Sequence, residues 1–142
     1  MTLASFCILA SSCLLGLLGL VHLLYTFHGN RFDPRDAALT AALKTVSPRI
    51  SRETTMARAA KGFHASHSLG VLLFALIYGY LALCAGSVLH QSWFLQALGM
   101  GVLLTYLVLA KCYWFKIPLV GIAVATALYA TGVAWGLAAM GG

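Results

Sequence analysis

The chain has 142 residues, of which 61% are hydrophobic and only 8% are charged. Soluble domains carry about 25% charged residues, so this composition excludes an ordinary soluble protein and predicts an integral membrane protein. The formal net charge of +6 does not indicate nucleic-acid binding, because Lys and Arg collect in the cytoplasmic loops of membrane proteins.

Four apolar runs are each long enough to cross a bilayer, which takes about 20 residues in a helix. They predict an all-α fold, an integral membrane bundle of four antiparallel helices in a single transmembrane domain that covers residues 1–142. The predicted helices cover residues 3–27, 62–86, 93–110 and 115–140.

Basic residues predict the orientation of these helices. Seven of the nine Lys and Arg residues lie in the first connection, residues 28–61, and the other two, Lys111 and Lys116, flank the short connection between the third and fourth helices. Because the cytoplasmic loops carry the excess of Lys and Arg, both connections are predicted to be cytoplasmic and both termini non-cytoplasmic. We therefore expect a multi-pass protein of a bacterial inner membrane.

The first connection contains a predicted amphipathic helix. Asp33 is a candidate N-cap and Pro34 would take the first helical position. The apolar residues Leu39, Leu43 and Val46 then recur at helical spacing. Such a helix is expected either to lie on the inner membrane surface or to be a solvated loop helix, and the sequence leaves both interpretations open.

Small residues four positions apart recur in the apolar runs, for example Gly132 with Gly136 and Gly121 with Ala125. This spacing lets transmembrane helices approach closely, either within one bundle or between two copies of the chain. The expected partners are the lipid bilayer and either other membrane subunits or a second copy.

The four cysteines have no metal-binding spacing. A disulfide between Cys7 and Cys84 and four free thiols are both compatible with the sequence.

Two histidines are predicted to lie at matching depth in neighbouring helices. His22 lies about five residues before the end of the first predicted helix, and His67 lies about five to six residues after the start of the second. Consecutive helices are usually neighbours, so the two imidazoles can meet. His64 precedes His67 by one helical turn and shares its face.

Four interpretations of these histidines remain open. In the first, they form a polar contact between helices. In the second, they hold the polar head of a lipophilic cofactor, a quinone or a lipid, because ionisable residues inside a membrane are functional candidates. In the third, His22 and His67 are the axial ligands of a b-type haem. In the fourth, His64 and His67 bind a metal in a membrane-embedded enzyme.

The predicted function is that of a non-enzymatic accessory subunit of a membrane complex or of a binder of a lipophilic cofactor. The chain has only three acidic residues, all in the first connection, which excludes a carboxylate-bridged di-metal site within the helices. The candidate cofactor-binding residues are His22, Tyr25, His64, Ser66, His67 and Ser68.

The string "GFHASHSLG", residues 62–70, together with "GLVHLLYTF", residues 19–27, resembles a family of small four-helix bacterial membrane proteins in which a GFxxSHSLG element begins the second helix. No function is assigned to that family. The resemblance implies the four-helix architecture and a shared site. The matching positions are His22, Phe63, Ser66, His67, Ser68 and Gly70.

Overall fold

The structure is a computed structural model that describes residues 1–141, with the side chains of residues 1–139. Within that range the fold is all-helical and contains six helices. The helices are α1 Leu3–Phe27, α2 Ala37–Leu43, α3 Met56–Cys84, α4 Gly86–Gln91, α5 Trp93–Tyr113 and α6 Lys116–Gly141.

Four of these helices, α1, α3, α5 and α6, are long and apolar enough to cross a membrane. This confirms the all-α class and the four apolar helices that the sequence predicts. By the length and composition of these helices the protein is a multi-pass membrane protein, and many of their large apolar side chains are exposed.

The helix α3 begins at Met56, six residues before the start predicted for it. The segment "MARAAK" contains no Gly or Pro and is rich in strong helix formers. The hydroxyl of Thr55 accepts a hydrogen bond from the backbone N–H of Arg58 at 3.4 Å and so caps the first turn. Because a side-chain cap and helix propensity act together here, the helix extends into the polar connection.

The helix α2 confirms that the first connection contains a helix, but the predicted N-cap was wrong. The cap is Asp36, whose carboxylate accepts from the backbone N–H groups of Ala38 at 2.8 Å and Leu39 at 3.3 Å. Asp33 lies instead in a turn, where its N–H donates to the Asn30 carbonyl. No residue of α2 is buried, so its position on a membrane surface stays a prediction.

The chain divides into two compact units. Unit 1 consists of Met1–Leu18 and Val71–Gly142, and unit 2 is Gly19–Gly70. The core of unit 1 is formed by apolar side chains from α1, α3, α4, α5 and α6. Its fully buried members are Ile8, Leu89, Leu103, Ala110, Ala125 and Tyr129.

Small residues let α1 and α6 approach closely in unit 1. A Cβ atom at Gly132 would lie 2.7 Å from Ile8 Cγ1 and 2.8 Å from the Ala4 carbonyl oxygen, so only glycine fits there. Nearby, the Ser11 hydroxyl donates to the Ala125 carbonyl oxygen at 2.7 Å. The predicted spacing of small residues thus serves a contact within the chain.

Polar side chains fix the junction between α4 and α5. The Tyr78 hydroxyl donates to the Leu95 carbonyl at 2.7 Å. The Gln96 amide donates to the carbonyl of Leu89 at 3.2 Å and to that of His90 at 2.7 Å. The two Gln96 bonds satisfy carbonyl groups that the short α4, which the sequence did not predict, leaves without helical partners, whereas the Tyr78 bond links α3 to the first turn of α5.

All four cysteines are free thiols. Cys7 is buried, and the other three are exposed. The disulfide considered between Cys7 and Cys84 is therefore not formed.

Candidate functional site

Three histidines of unit 2 meet in a cluster. His22 lies near the end of α1, and His64 and His67 lie one turn apart in the first half of α3. All three side chains are half-buried. We call His22, His64, His67 and the neighbouring ring of Phe32 the histidine cluster.

The imidazoles contact one another directly. His22 Nε2 and His64 Nδ1 are 3.3 Å apart and share a hydrogen bond, in which the tautomers decide the donor. The ring centroids of His22 and His67 are 5.3 Å apart, with the rings edge-on at 70°. The structure thus brings together the two histidines that the sequence places at equal depth, and it adds His64 as the hydrogen-bonding partner.

Phe32 is a member of the cluster that the sequence analysis missed. Its ring stacks on that of His64, with centroids 4.6 Å apart and planes 12° apart, and it lies 4.6 Å from the ring of His22. Phe32 comes from the polar connection, where helical periodicity says nothing about side-chain position. The only available signal was an aromatic residue in an otherwise polar segment, five residues after the end of α1.

Tyr25, a predicted site residue, is paired with a cation. The guanidinium carbon of Arg31 lies 4.3 Å from the centroid of the Tyr25 ring, which is cation–π geometry. Tyr25 is 38% exposed. The connection therefore supplies two consecutive residues near these aromatic groups, the cation of Arg31 and the ring of Phe32.

The two predicted serines are engaged within α3. The hydroxyl of Ser66 donates to the Phe63 carbonyl at 2.9 Å, and that of Ser68 donates to the His64 carbonyl at 3.0 Å. Ser66 is exposed, whereas Ser68 is fully buried. Because both protons are used by the helix backbone, these side chains can offer a ligand only oxygen lone pairs.

The residues of the cluster do not fit a haem. A haem with two axial histidines lies between the imidazoles, with each nitrogen bound to the iron at a metal–nitrogen distance of about 2 Å. The rings of His22 and His67 are instead edge-on at 5.3 Å, which leaves no space for a macrocycle. His22 Nε2 is also occupied by its bond to His64.

A metal site is not formed by the described residues either. Among the side chains of residues 1–139, no group of three or more His, Cys, Asp and Glu side chains could hold a metal ion. The three acidic residues lie in the first connection. The arrangement therefore offers hydrogen bonds from imidazole nitrogens and the faces of aromatic rings.

Comparisons with protein families, with curated proteins and with solved structures found no match for this chain. The resemblance of the GFxxSHSLG element stays a prediction. The interpretation of the cluster therefore depends on its own geometry.

Proposed function

We propose that the protein is a non-enzymatic membrane protein that binds the polar head of a lipophilic cofactor, a quinone or a lipid, at the histidine cluster. The observation that carries this proposal is the position of the Phe32 ring. It stacks on the ring of His64 and also contacts the ring of His22, and the ring centroids are 4.6 Å apart in each pair. Aromatic and imidazole rings at the polar ends of two apolar helices form an amphipathic surface of the kind that such molecules need.

The chemistry of the cluster suits a ligand with carbonyl or ester oxygens. A neutral imidazole carries one N–H donor and one acceptor nitrogen, and ligand sites typically combine apolar and aromatic walls with a few polar groups that fix orientation. Phe32 is 37% exposed, so its ring is accessible to a ligand. Quinones and lipids are dissolved in the bilayer itself, where they meet the ends of membrane-spanning helices.

A second candidate function is that of an accessory subunit, in which the cluster is only a structural contact. The observation that favours it is the bond between His22 Nε2 and His64 Nδ1, which satisfies two ring nitrogens without any ligand. In that case the exposed apolar surface would meet other membrane subunits. The enzyme hypothesis with a metal at His64 and His67 has no supporting geometry among the described residues.

The proposal includes an orientation in a bacterial inner membrane. The first connection, with seven of the nine Lys and Arg residues, lies in the cytoplasm, as the positive-inside rule indicates. The helix α2 lies on the inner surface of the bilayer, where Leu39 of the helix and Val46, three residues after its end, contact lipid; their side chains are 48% and 53% exposed. The histidine cluster would then lie near the cytoplasmic side.

The test is to identify what copurifies with the full-length protein. Organic extracts of the wild type, of His64→Phe and of His28→Phe are compared by mass spectrometry for quinones and lipids. His28→Phe is the matched control, because it makes the same change at an exposed histidine. The loss of one hydrogen bond should lower the amount of bound cofactor about three- to tenfold in His64→Phe only.

Two results would contradict the proposal. If no quinone or lipid is enriched over the bulk membrane extract, or if His64→Phe retains as much as His28→Phe, the cluster is the structural contact of the second candidate. A Soret band in the purified protein would instead support the haem that the geometry does not fit.

A further inference from the structure

A cavity of unit 2 lies beside the helix α2. Its volume is about 380 Å³, within the range of about 300 to 1,000 Å³ that is typical of ligand sites. One wall comes from α2 and from Lys44 just after it, and the other comes from the turn that contains Asn30, Asp33 and Arg35. No residue of the histidine cluster lines this cavity, so it is separate from the site proposed above.

Hydrogen bonds hold the two walls in place. The Thr40 hydroxyl of α2 donates to the Pro34 carbonyl at 3.2 Å and to the Asp36 carbonyl at 2.9 Å. In the turn, the N–H of Asp33 donates to the Asn30 carbonyl at 3.1 Å. The shape of the cavity is therefore fixed by the fold of this segment and is formed before any ligand binds.

The charged side chains that line the cavity are not paired with one another. Arg35 and Lys44 are cations and Asp33 is an anion, and none of the three forms an ion pair among the described side chains of residues 1–139. Two positive charges and one negative charge give the lining a formal net charge of +1. The nearby carboxylate of Asp36 does not line the cavity and is bound to two backbone N–H groups of α2. The cavity should therefore attract an anion.

The polar groups of the lining suit the oxygens of a phosphate group. The planar guanidinium of Arg35 can donate two parallel hydrogen bonds to a phosphate, and the ammonium group of Lys44 binds phosphate as a point charge. The side-chain amide of Asn30 adds further N–H donors. Three donor groups from different positions along the chain match a tetrahedral phosphate, which offers oxygens in several directions, better than a planar carboxylate.

The cavity lies on the polar side of α2. The residues of α2 that line it lie about 130° around the helix axis from those of the apolar stripe. The first set is Ala37, Thr40 and Ala41, and the second is Leu39 and Leu43. In the orientation proposed above, Leu39 contacts lipid, so the cavity is directed to the headgroups or to the adjoining water. Phosphate groups occur in both of these regions and are absent from the hydrocarbon.

We propose that this cavity binds an anionic phosphate group, which belongs either to an anionic membrane lipid or to a soluble phosphate ester. Arg35 and Lys44 bind its charged oxygens, and Asn30 donates a further hydrogen bond. The carboxylate of Asp33 repels the ligand, so its neutralisation should strengthen binding.

Titration calorimetry with the full-length protein in a non-ionic detergent tests the proposal with three probes. The probes are glycerol 3-phosphate, dioctanoyl phosphatidylglycerol and dioctanoyl phosphatidylcholine. Binding of glycerol 3-phosphate with the higher affinity supports a soluble ester, and tighter binding of phosphatidylglycerol supports a lipid. Phosphatidylcholine is the control, because its choline group neutralises the phosphate, and it should bind more weakly than phosphatidylglycerol.

Charge variants identify the groups that bind the phosphate. Arg35→Gln and Lys44→Gln should each weaken the binding of the preferred probe about two- to fivefold, the range expected for exposed ion pairs. Asp33→Asn should strengthen it by a similar factor. Arg52→Gln is the matched control, because it removes one positive charge of the same connection from outside the cavity, and it should bind as the wild type.

A second pair of variants tests the cavity itself without a change of charge. Ala41→Phe fills the space, because Ala41 lines the cavity, and should abolish the binding of both anionic probes. Ala38→Phe makes the same change at an exposed residue of α2 that does not line it, and binding should persist. All the substituted side chains are exposed, and thermal unfolding verifies that each variant is folded.

The proposal is overturned if neither anionic probe binds to the wild type. It also fails if Arg35→Gln and Arg52→Gln weaken binding equally, since the probes would then respond only to the overall charge of the connection. If Asp33→Asn does not strengthen binding, or if Ala41→Phe binds as well as Ala38→Phe, the phosphate does not occupy this cavity. These variants leave the histidine cluster unchanged, so their failure would not affect the function proposed for it.

Discussion

The two compact units of the chain are stabilised by different kinds of contact. In unit 1, helices approach so closely at Gly132 that a single additional carbon would meet Ile8 and the backbone of Ala4. In unit 2, half-buried rings of His22 and His64 share a hydrogen bond, and only a few side chains are buried. Unit 1 should therefore be sensitive to side-chain volume, and unit 2 to the chemistry of polar groups.

The histidines show the same difference at the level of single atoms. His64 finds its partner in another imidazole, whereas His90 is bound at one nitrogen and leaves the other buried without a hydrogen-bond partner. A cluster of like groups can satisfy itself. An isolated histidine in an apolar unit has too few polar neighbours to satisfy both ring nitrogens.

The largest expected effect is an all-or-none difference in cysteine labelling, which reports the side of the membrane on which each polar region lies. In a variant whose four cysteines are replaced by alanine, Gln91→Cys should react with a membrane-impermeant maleimide added to intact spheroplasts, and Thr45→Cys should not. The reason is the excess of Lys and Arg in the first connection. Labelling of Thr45→Cys before the cells are lysed would reverse the proposed orientation.

Volume sensitivity in unit 1 is tested by Gly132→Leu. The added side chain must displace α1 or α6, and overpacking of this kind costs about 1 to 3 kcal/mol or more. Gly101→Leu is the control, because a Cβ there has open space around it. Thermal unfolding in detergent should show a large loss for the first variant and almost none for the second, and equal stabilities would mean that the close contact is not formed.

A smaller effect is expected in the first connection when Leu39 and Leu43 are both changed to Asp. If α2 lies on the bilayer, losing the partial burial of these leucines costs on the order of 1 kcal/mol, and trypsin should cleave after Lys44 about fivefold faster in vesicles. Thr45→Asp, at an exposed polar position, controls for added charge. Unchanged cleavage would show that α2 is a solvated helix.

The smallest effect concerns the coupling of His22 and His64. The single variants His22→Ala and His64→Ala and the double variant form a thermodynamic cycle, measured by unfolding in detergent. Hydrogen bonds inside membrane proteins average about 0.6 kcal/mol and reach about 1.7 kcal/mol, and the coupling should lie in this range. A larger coupling would indicate a shared ligand, and strict additivity would show that the two imidazoles do not interact.

The sequence predicted the apolar helices well because their length and hydrophobicity are local properties. The four runs reappear as α1, α3, α5 and α6. The boundaries in polar segments were less predictable. The start of α3 at Met56 and that of α2 after Asp36 each depend on one capping side chain, and Asp33 and Asp36 offer the same chemistry three residues apart.

The candidate site was predicted only in part. The equal depth of His22 and His67 followed from helix geometry, and their rings do meet. The stacking of Phe32 on His64 depends on the path of an irregular connection, which has no periodicity. The environment of His90 depends on residues about 85 and 46 positions away, Ser5 and Gly136, so no local pattern could indicate it.

The length of α3 has a consequence for the depth of the histidine cluster in a bilayer. Its 29 residues rise about 44 Å, whereas the hydrocarbon core is about 30 Å thick. Arg58 and Lys61 lie in the first two turns, so the excess of about nine residues belongs at this end. With that excess outside the hydrocarbon, His64 would stand at the boundary of the hydrocarbon and His67 would lie one turn deeper, about 4.5 Å inside it. The thickness of the surrounding membrane would therefore set how much water reaches these imidazoles.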